Sequence, residues 1–195
     1  MFRHAGFTVI ELMIAIVLLA ILLTLGTPAF SIYISNVKLR STAETFFSGI
    51  QMARSEAIRR NTNVDFVLTN NDVSGTNINP AASANGRNWL VRTSDLASFI
   101  ESKTGAESGG SRADEASPVQ VTGSVATVTF NGLGSTTLPT AAVFQFTNPS
   151  GGACTADGGP MRCLNVVVSP SGQARLCDPA VTAAQTAAGD TRGCL

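Results

Sequence analysis

The sequence predicts an α+β fold: one long N-terminal helix, kinked near its middle, packed on a small antiparallel β-sandwich. Three observations predict it. The first thirty residues hold an almost unbroken apolar run. Apolar residues then recur at spacings of three and four as far as residue 58, the signature of a helix with one buried face. Beyond residue 61 the period falls to two, in short runs separated by Gly, Asn, Ser and Pro, as in antiparallel strands.

The chain opens with a short basic leader, Arg3 and His4, that ends at Gly6. From Phe7 it turns apolar, with one acid, Glu11, near the start, and residues 12–23 carry no polar side chain. The apolar stretch 7–25 is 19 residues long, close to the roughly 20 that a helix needs to cross a bilayer core. Three arrangements compete for it. A secretory signal places a small-residue cleavage site after the run, but this run ends in Thr24-Leu25-Gly26-Thr27-Pro28 and amphipathic sequence follows directly. A plain membrane anchor explains the length but not a carboxylate at the fifth position, because an ionisable group in a membrane segment is costly and marks a functional site. The third arrangement is a cut after Gly6. Phe7 then becomes a new N-terminus, and Glu11 lies one helical turn from its amine.

Gly6-Phe7-Thr8-Val9-Ile10-Glu11-Leu12 resembles the class III signal of type IV pilins and type II secretion pseudopilins. The resemblance implies that a prepilin peptidase cuts between Gly6 and Phe7 and N-methylates Phe7. It also implies that Glu11 pairs with the Phe7 amine of a neighbouring subunit during assembly. Pro28, residue 22 of the mature chain, agrees with it. The chain then divides into a leader (1–6), a transmembrane and assembly helix (7–30), an amphipathic second half of that helix (31–61) and a β-rich head (62–195). The implied location is the bacterial inner membrane, single-pass with a periplasmic head, then a pilus or pseudopilus. The implied partners are other minor and major pilins, the prepilin peptidase, the inner-membrane assembly platform and, before assembly, the lipid bilayer.

Pro28 removes one backbone hydrogen bond and crowds the preceding turn, so a kink or local break is expected there. Helical pattern resumes after it, with Ala43, Phe46, Phe47, Ile50, Ala53, Ala57 and Ile58 forming an apolar stripe. Glu56 and Arg60 are spaced for an i,i+4 pair. Arg59 and Arg60 suit the negative helix end, and Asn61 can stop the helix. Val64, Phe66 and Leu68 then alternate with Asn63, Asp65 and Val67, which reads as a half-buried strand. Residues 70–88 read as a loop, 89–92 as a strand and 98–101 as a weaker one. Residues 107–117 are polar and Gly-rich, a mobile surface loop. The runs 119–121 and 125–130 are split by Gly123-Ser124, which reads as a hairpin turn. Residues 143–146 and 164–168 are two further strands.

Composition narrows the function. Formal net charge is zero, from 13 basic and 13 acidic residues. Residues 38–60 hold five bases and two acids, whereas the part after Asn61 holds seven bases and ten acids, so the head offers no bulk attraction for nucleic acid. The four cysteines, Cys154, Cys163, Cys177 and Cys194, read as two disulfides of an exported domain. Three pairings exist. Cys154–Cys163 with Cys177–Cys194 is favoured because each closes a short Gly- and Asp-rich loop, worth roughly 2–3 kcal/mol apiece in the chain-entropy picture. Zinc is not expected: the single His is His4 in the leader, and no Cys-x-x-Cys occurs. No other cofactor is indicated. Without a His beyond the leader or a phosphate loop, and with Asp114-Glu115 in a polar loop, no catalytic site is expected.

A second resemblance lies in the head. Trp89-Leu90-Val91, Phe130-Asn131-Gly132-Leu133-Gly134 and the segment from Ser169 to Cys177 are similar to segments of GspH/FimT-like pilins. The resemblance implies a minor pilin, a structural subunit that primes or caps type IV pilus assembly. The alternatives are a type II secretion pseudopilin and a DNA-binding minor pilin serving transformation. Family members that bind DNA carry Gly-Arg-x-Arg near the C-terminus. This chain has Gly172-Gln173-Ala174-Arg175, so only Arg175 remains, and one arginine is thin support where affinity comes from several phosphate contacts.

Overall fold

The computed structural model describes residues 8–73, 77–104 and 119–194, with the backbone alone for 23–29. Gly6, Phe7, Asp114, Glu115 and the loop 107–117 lie outside the described residues. One helix, α1 (Val9–Arg60), spans 52 residues, about 78 Å at 1.5 Å per residue. The Thr8 hydroxyl caps its start by accepting from the Glu11 N–H at 3.3 Å. Asn61 ends it in the left-handed conformation (φ 49°, ψ 43°), its N–H donating to the Ala57 and Ile58 carbonyls. The local break weighed at Pro28 does not occur: helical backbone continues through it.

The buried stripe of α1 is Leu39, Ala43, Phe46, Ile50, Ala53 and Ala57, alternating steps of four and three. Phe47 is only half-buried against this core. Ile58, expected in the stripe, is half exposed, because it sits about 100° around the helix from Ala57. Glu56 pairs with Arg60 (2.8 Å) as the spacing predicts and also with Arg59 (2.6 Å).

Among the described residues, nine strands follow in two sheets. β1 (Val64–Thr69), β3 (Asn88–Thr93), β4 (Phe99–Lys103) and β6 (Thr127–Phe130) form one in the order β4-β3-β1-β6. β2 (Asn85–Gly86), β5 (Gln120–Gly123), β7 (Ala142–Thr147), β8 (Leu164–Val168) and β9 (Ala174–Cys177) form the other in the order β2-β5-β7-β8-β9. Every pairing between these strands is antiparallel. Phe46 of α1 stands between the sheets, its ring 4.7 Å from Phe66 of β1 and 4.9 and 5.1 Å from Phe144 and Phe146 of β7. α1 therefore seals the core that both sheets line. A short helix, α2 (Ala183–Ala187), lies near the C-terminus.

Three sequence expectations are corrected. First, β5 and β6 are not a hairpin: β5 pairs with β7, β6 with β1, and the chain crosses between sheets at residues 124–126. There the Ala126 carbonyl accepts from the Leu68 N–H (2.8 Å) and the Ser124 N–H donates to Val143 (2.8 Å), so each side of the turn serves a different sheet. Second, β1 is buried on both faces. Val67 packs with Leu90 and Val73 in a separate apolar cluster, while Asp65 is nearly buried. Third, the segment 70–88 is more than loop. It contains β2, and its chain covers the outer face of β1 and β3 through Ile78 and Asn79, to which Arg92 donates at 2.8 and 2.6 Å, and through Ala81, whose carbonyl accepts from the Thr69 hydroxyl at 2.7 Å.

Candidate assembly interface

The first half of α1 carries large apolar side chains all round, and they stand open. Among the described residues from Val9 to Leu22, the large apolar ones are between 51 and 79 % exposed. Covering eleven such side chains is worth on the order of 10–20 kcal/mol, comparable to the whole stability of a domain. The working state of this segment is therefore a covered one. Glu11, in the first turn, is the acid of that run and is also exposed. Among the described residues no helix is long and apolar enough to cross a membrane. The side chains of 23–25, which complete the apolar stretch in the sequence, lie outside the described set.

Farther along, α1 meets the head at Asn36. Its side chain lies against the loop closed by the Cys154–Cys163 disulfide: Asn36 Oδ1 accepts from the Arg162 N–H at 2.7 Å, and Nδ2 donates to the Pro160 carbonyl at 3.5 Å. Within the same loop Met161 is fully buried, and the Thr155 N–H and hydroxyl donate to its carbonyl at 2.7 and 2.9 Å. The loop thus forms a collar where the helix leaves the head. The Cys177–Cys194 bridge ties the C-terminal segment back to the end of β9. Sequence reasoning favoured both bridges but missed Asn36. A polar residue within a helical run carries no signal of a partner about 125 positions away, as Pro160 and Arg162 are here.

Asp65 and Arg92 were also missed. Asp65 Oδ1 accepts from the Ser94 and Thr129 hydroxyls (2.6 and 2.7 Å), and its Oδ2 lies 3.7 Å from Arg92 Nε. Both side chains are close to buried, so this pair fixes the cover of the sheet to its strands. The available signal was register: alternation puts both residues on the outward face.

Arg175 lies exposed in β9, opposite Val167. It is in the head, whereas Glu11 is in the projecting half of α1, so these two candidates belong to different parts of the molecule. The glycine that precedes Arg175 by three, Gly172, turns the β8–β9 connection at φ 80°, and a side chain there would collide with the Gly134 carbonyl. Two of the three head segments singled out in the sequence thereby meet, and the Thr136 N–H donates to Pro170 at 2.9 Å beside them. Their role in this structure is packing. Among the described residues no cluster of three metal-ligating side chains occurs.

The family described as type II transport protein GspH matches residues 42–172, and the prokaryotic N-terminal methylation motif matches residues 1–27. Among curated proteins, none matches the chain. Two crystal structures of the type IV minor pilin FimU of Pseudomonas aeruginosa (strain PAO1) are similar in fold. One, in space group P65, is 18 % identical with a TM-score of 0.48, covering 70 % of this chain and 90 % of that one. The other, in space group P21, is 19 % identical with a TM-score of 0.49, covering 71 and 87 %.

Proposed function

Since the chain belongs to the GspH family of type II transport proteins and carries the N-terminal methylation motif, we propose that it is a minor pilin that primes or caps assembly of a type IV pilus. It is cut between Gly6 and Phe7, methylated at Phe7, held in the inner membrane by residues 7–30 and displayed through its head. It then joins the filament through the same helix. Pro28 supplies a bend between the assembly half and the seated half.

The observation that carries this reading is a long, open apolar helix with one carboxylate, Glu11, in its first turn. A carboxylate taken into an apolar bundle costs several kcal/mol unless it is paired. The new amine of Phe7 on a neighbouring subunit is a partner of the right charge at the right end, and the pair would fix the axial register of one helix against the next. Glu11→Ala leaves membrane insertion intact and impairs incorporation; normal incorporation of that variant sinks the pairing.

The function is tested by counting surface pili on cells lacking the gene, in a background where retraction is blocked. Few or no pili is the expected result. The description of the matched family favours one second reading, a type II secretion pseudopilin. Normal pili with lost exoprotein release would establish that reading instead. Normal pili with lost transformation would move the function to DNA uptake, for which Arg175 is the residue to substitute.

A further inference from the structure

A second open face of α1 lies beyond its all-round apolar run. Phe30, Tyr33, Ile34 and Val37 are 37 to 66 % exposed, and their spacing places all four on one side of the helix. At about 100° per residue, the centre of that side is about 170° from Leu39, where the buried stripe begins. The four side chains therefore look directly away from the head. The face ends abruptly at Val37: the next positions on that side, Ser41, Glu44 and Ser48, are exposed and polar.

Length and charge say what covers it. From Val9 to Val37 the helix rises about 42 Å at 1.5 Å per residue. The hydrocarbon of a bilayer is about 30 Å thick, and the bilayer is about 40–45 Å thick with its headgroup layers. The open apolar surface is too long for hydrocarbon alone and matches hydrocarbon plus both interfaces. Its outer end carries Phe30 and Tyr33, and aromatic rings with a polar tip settle at the headgroup level. Lys38 and Arg40 follow at once, about 90° to one side of the face's centre and about 70° to the other. They are the first bases after the leader, and no acid stands between Glu11 and Glu44. Arg40 meets Glu44 at 2.7 Å, but both side chains are more than half exposed, so the pair is weak. An apolar face flanked on both sides by bases is how a helix settles into a lipid interface, with the charges reaching up to the phosphates.

We propose that the segment 30–40 is a docking surface for an anionic lipid interface. The proposal rests on the membrane-held state proposed above and adds how the head stands on it. α1 leaves the bilayer tilted toward the Phe30 side. Phe30, Tyr33, Ile34 and Val37 lie in the headgroup layer, Lys38 and Arg40 meet lipid phosphates on either side, and the head stands on the opposite side of the helix, away from the lipid. A neighbouring helix would cover the apolar strip but would leave the two bases unanswered, whereas a negatively charged surface answers both at once. The lipid contact belongs to the waiting state: when the subunit leaves the bilayer, the same face opens again.

The test uses the full chain in vesicles of phosphatidylcholine, with or without phosphatidylglycerol, that contain lipids spin-labelled near the headgroup. A fluorescent amino acid is placed at position 37 and, separately, at 48, which is about 16 Å farther out on the same side, and at 17, inside the apolar run, where the spin label is moved down the acyl chain. Position 37 is expected to be quenched and position 48 not, with stronger quenching at 37 when phosphatidylglycerol is present. Lys38→Gln with Arg40→Gln should abolish that increase, and high salt should abolish it in the natural chain, where no substitution can disturb the fold. Quenching at 17 with none at 37 overturns the lipid contact and leaves the membrane-held state standing. No quenching at any position overturns both. Equal quenching at 37 and 48, or the same quenching at 37 with and without phosphatidylglycerol, also overturns the proposal.

Discussion

Replacing Gly49 with alanine should destabilise the protein, although alanine is the better helix former. Gly49 is buried on the face of α1 that meets β3, and a Cβ built there falls 2.6, 2.7 and 2.9 Å from three ring carbons of Trp89. Carbon atoms in contact sit about 3.5–4.0 Å apart, so the overlap is roughly 1 Å. The indole has nowhere to retreat. It is 4 % exposed and stacks on Phe66 at 5.3 Å, and Phe66 is backed by Phe46 at 4.7 Å. The propensity gain is about 1 kcal/mol, and overpacking a dense core costs about 1–3 kcal/mol. The net expectation is a loss of up to about 2 kcal/mol, or a drop in melting temperature of up to about 8 °C for a chain of this size. Trp89 is the single tryptophan, so its fluorescence during thermal unfolding of the detergent-solubilised chain reports this contact directly. In a Trp89→Leu background the same Gly49→Ala change should become neutral or stabilising. A higher melting temperature for Gly49→Ala alone would refute the claim that the glycine exists to seat the helix on the indole.

Asp65→Ala should cost about 3–5 kcal/mol in urea unfolding, because it leaves the nearly buried Arg92 charge without its carboxylate and the Ser94 and Thr129 hydroxyls without their acceptor, and adding Arg92→Met should recover part of it. Cys154→Ser with Cys163→Ser should lose about 2–3 kcal/mol. It should also speed hydrogen exchange at the Arg162 amide, whose acceptor is Asn36, as mass spectrometry would show. Hydrogen bonds from Arg59 and then Arg60 hold the Glu56 carboxyl down at about 2, from an ordinary 4.5. The stability they contribute is complete above about pH 4.5 and is lost as pH falls through about 2. Melting temperatures at pH 5 and pH 2.5 should therefore fall further apart for the natural chain than for Glu56→Gln, by an amount worth up to about 1 kcal/mol.

What the sequence made legible follows from what local pattern records. The seated part of α1 was readable because one narrow face is buried, and its end was readable because Asn61 tolerates the left-handed turn. The disulfides were readable because each joins cysteines that are neighbours in the sequence, closing a short loop. The full burial of β1 was not readable. Alternation reports which face is apolar, not whether a distant segment covers the other, and here residues 77–81 do so through Arg92 and Thr69. Gly123-Ser124 carries a true turn signal but no information about destination. The ring of Phe144 lies where a side chain on Gly123 would go, so the turn hugs the β7 sheet while Ala126 already bonds to β1. Asn36 and the collar depend on contacts across more than half of the chain, beyond any periodicity.

The two halves of α1 obey different rules, and the contrast constrains what surrounds the first. From Leu39 to Ala57 one stripe is buried and the opposite face is polar, as a helix lying on a protein core requires. From Val9 to Leu22 the apolar residues leave no polar face, so a partner on one side would still leave the rest in water. An environment that encloses the helix meets that demand; on the proposed function it is lipid first and then a bundle of similar helices. In both, Glu11 is the one group that the surroundings do not satisfy. Nonpolar packing is tolerant of sliding along a helix axis, since one leucine is much like the next, whereas a single carboxylate is satisfied at one height only. On the proposed function, the acid would cost stability in the enclosed state and return register. The collar at Asn36 complements it by fixing where along α1 the head begins, so that setting the height of Glu11 also sets the height of the head.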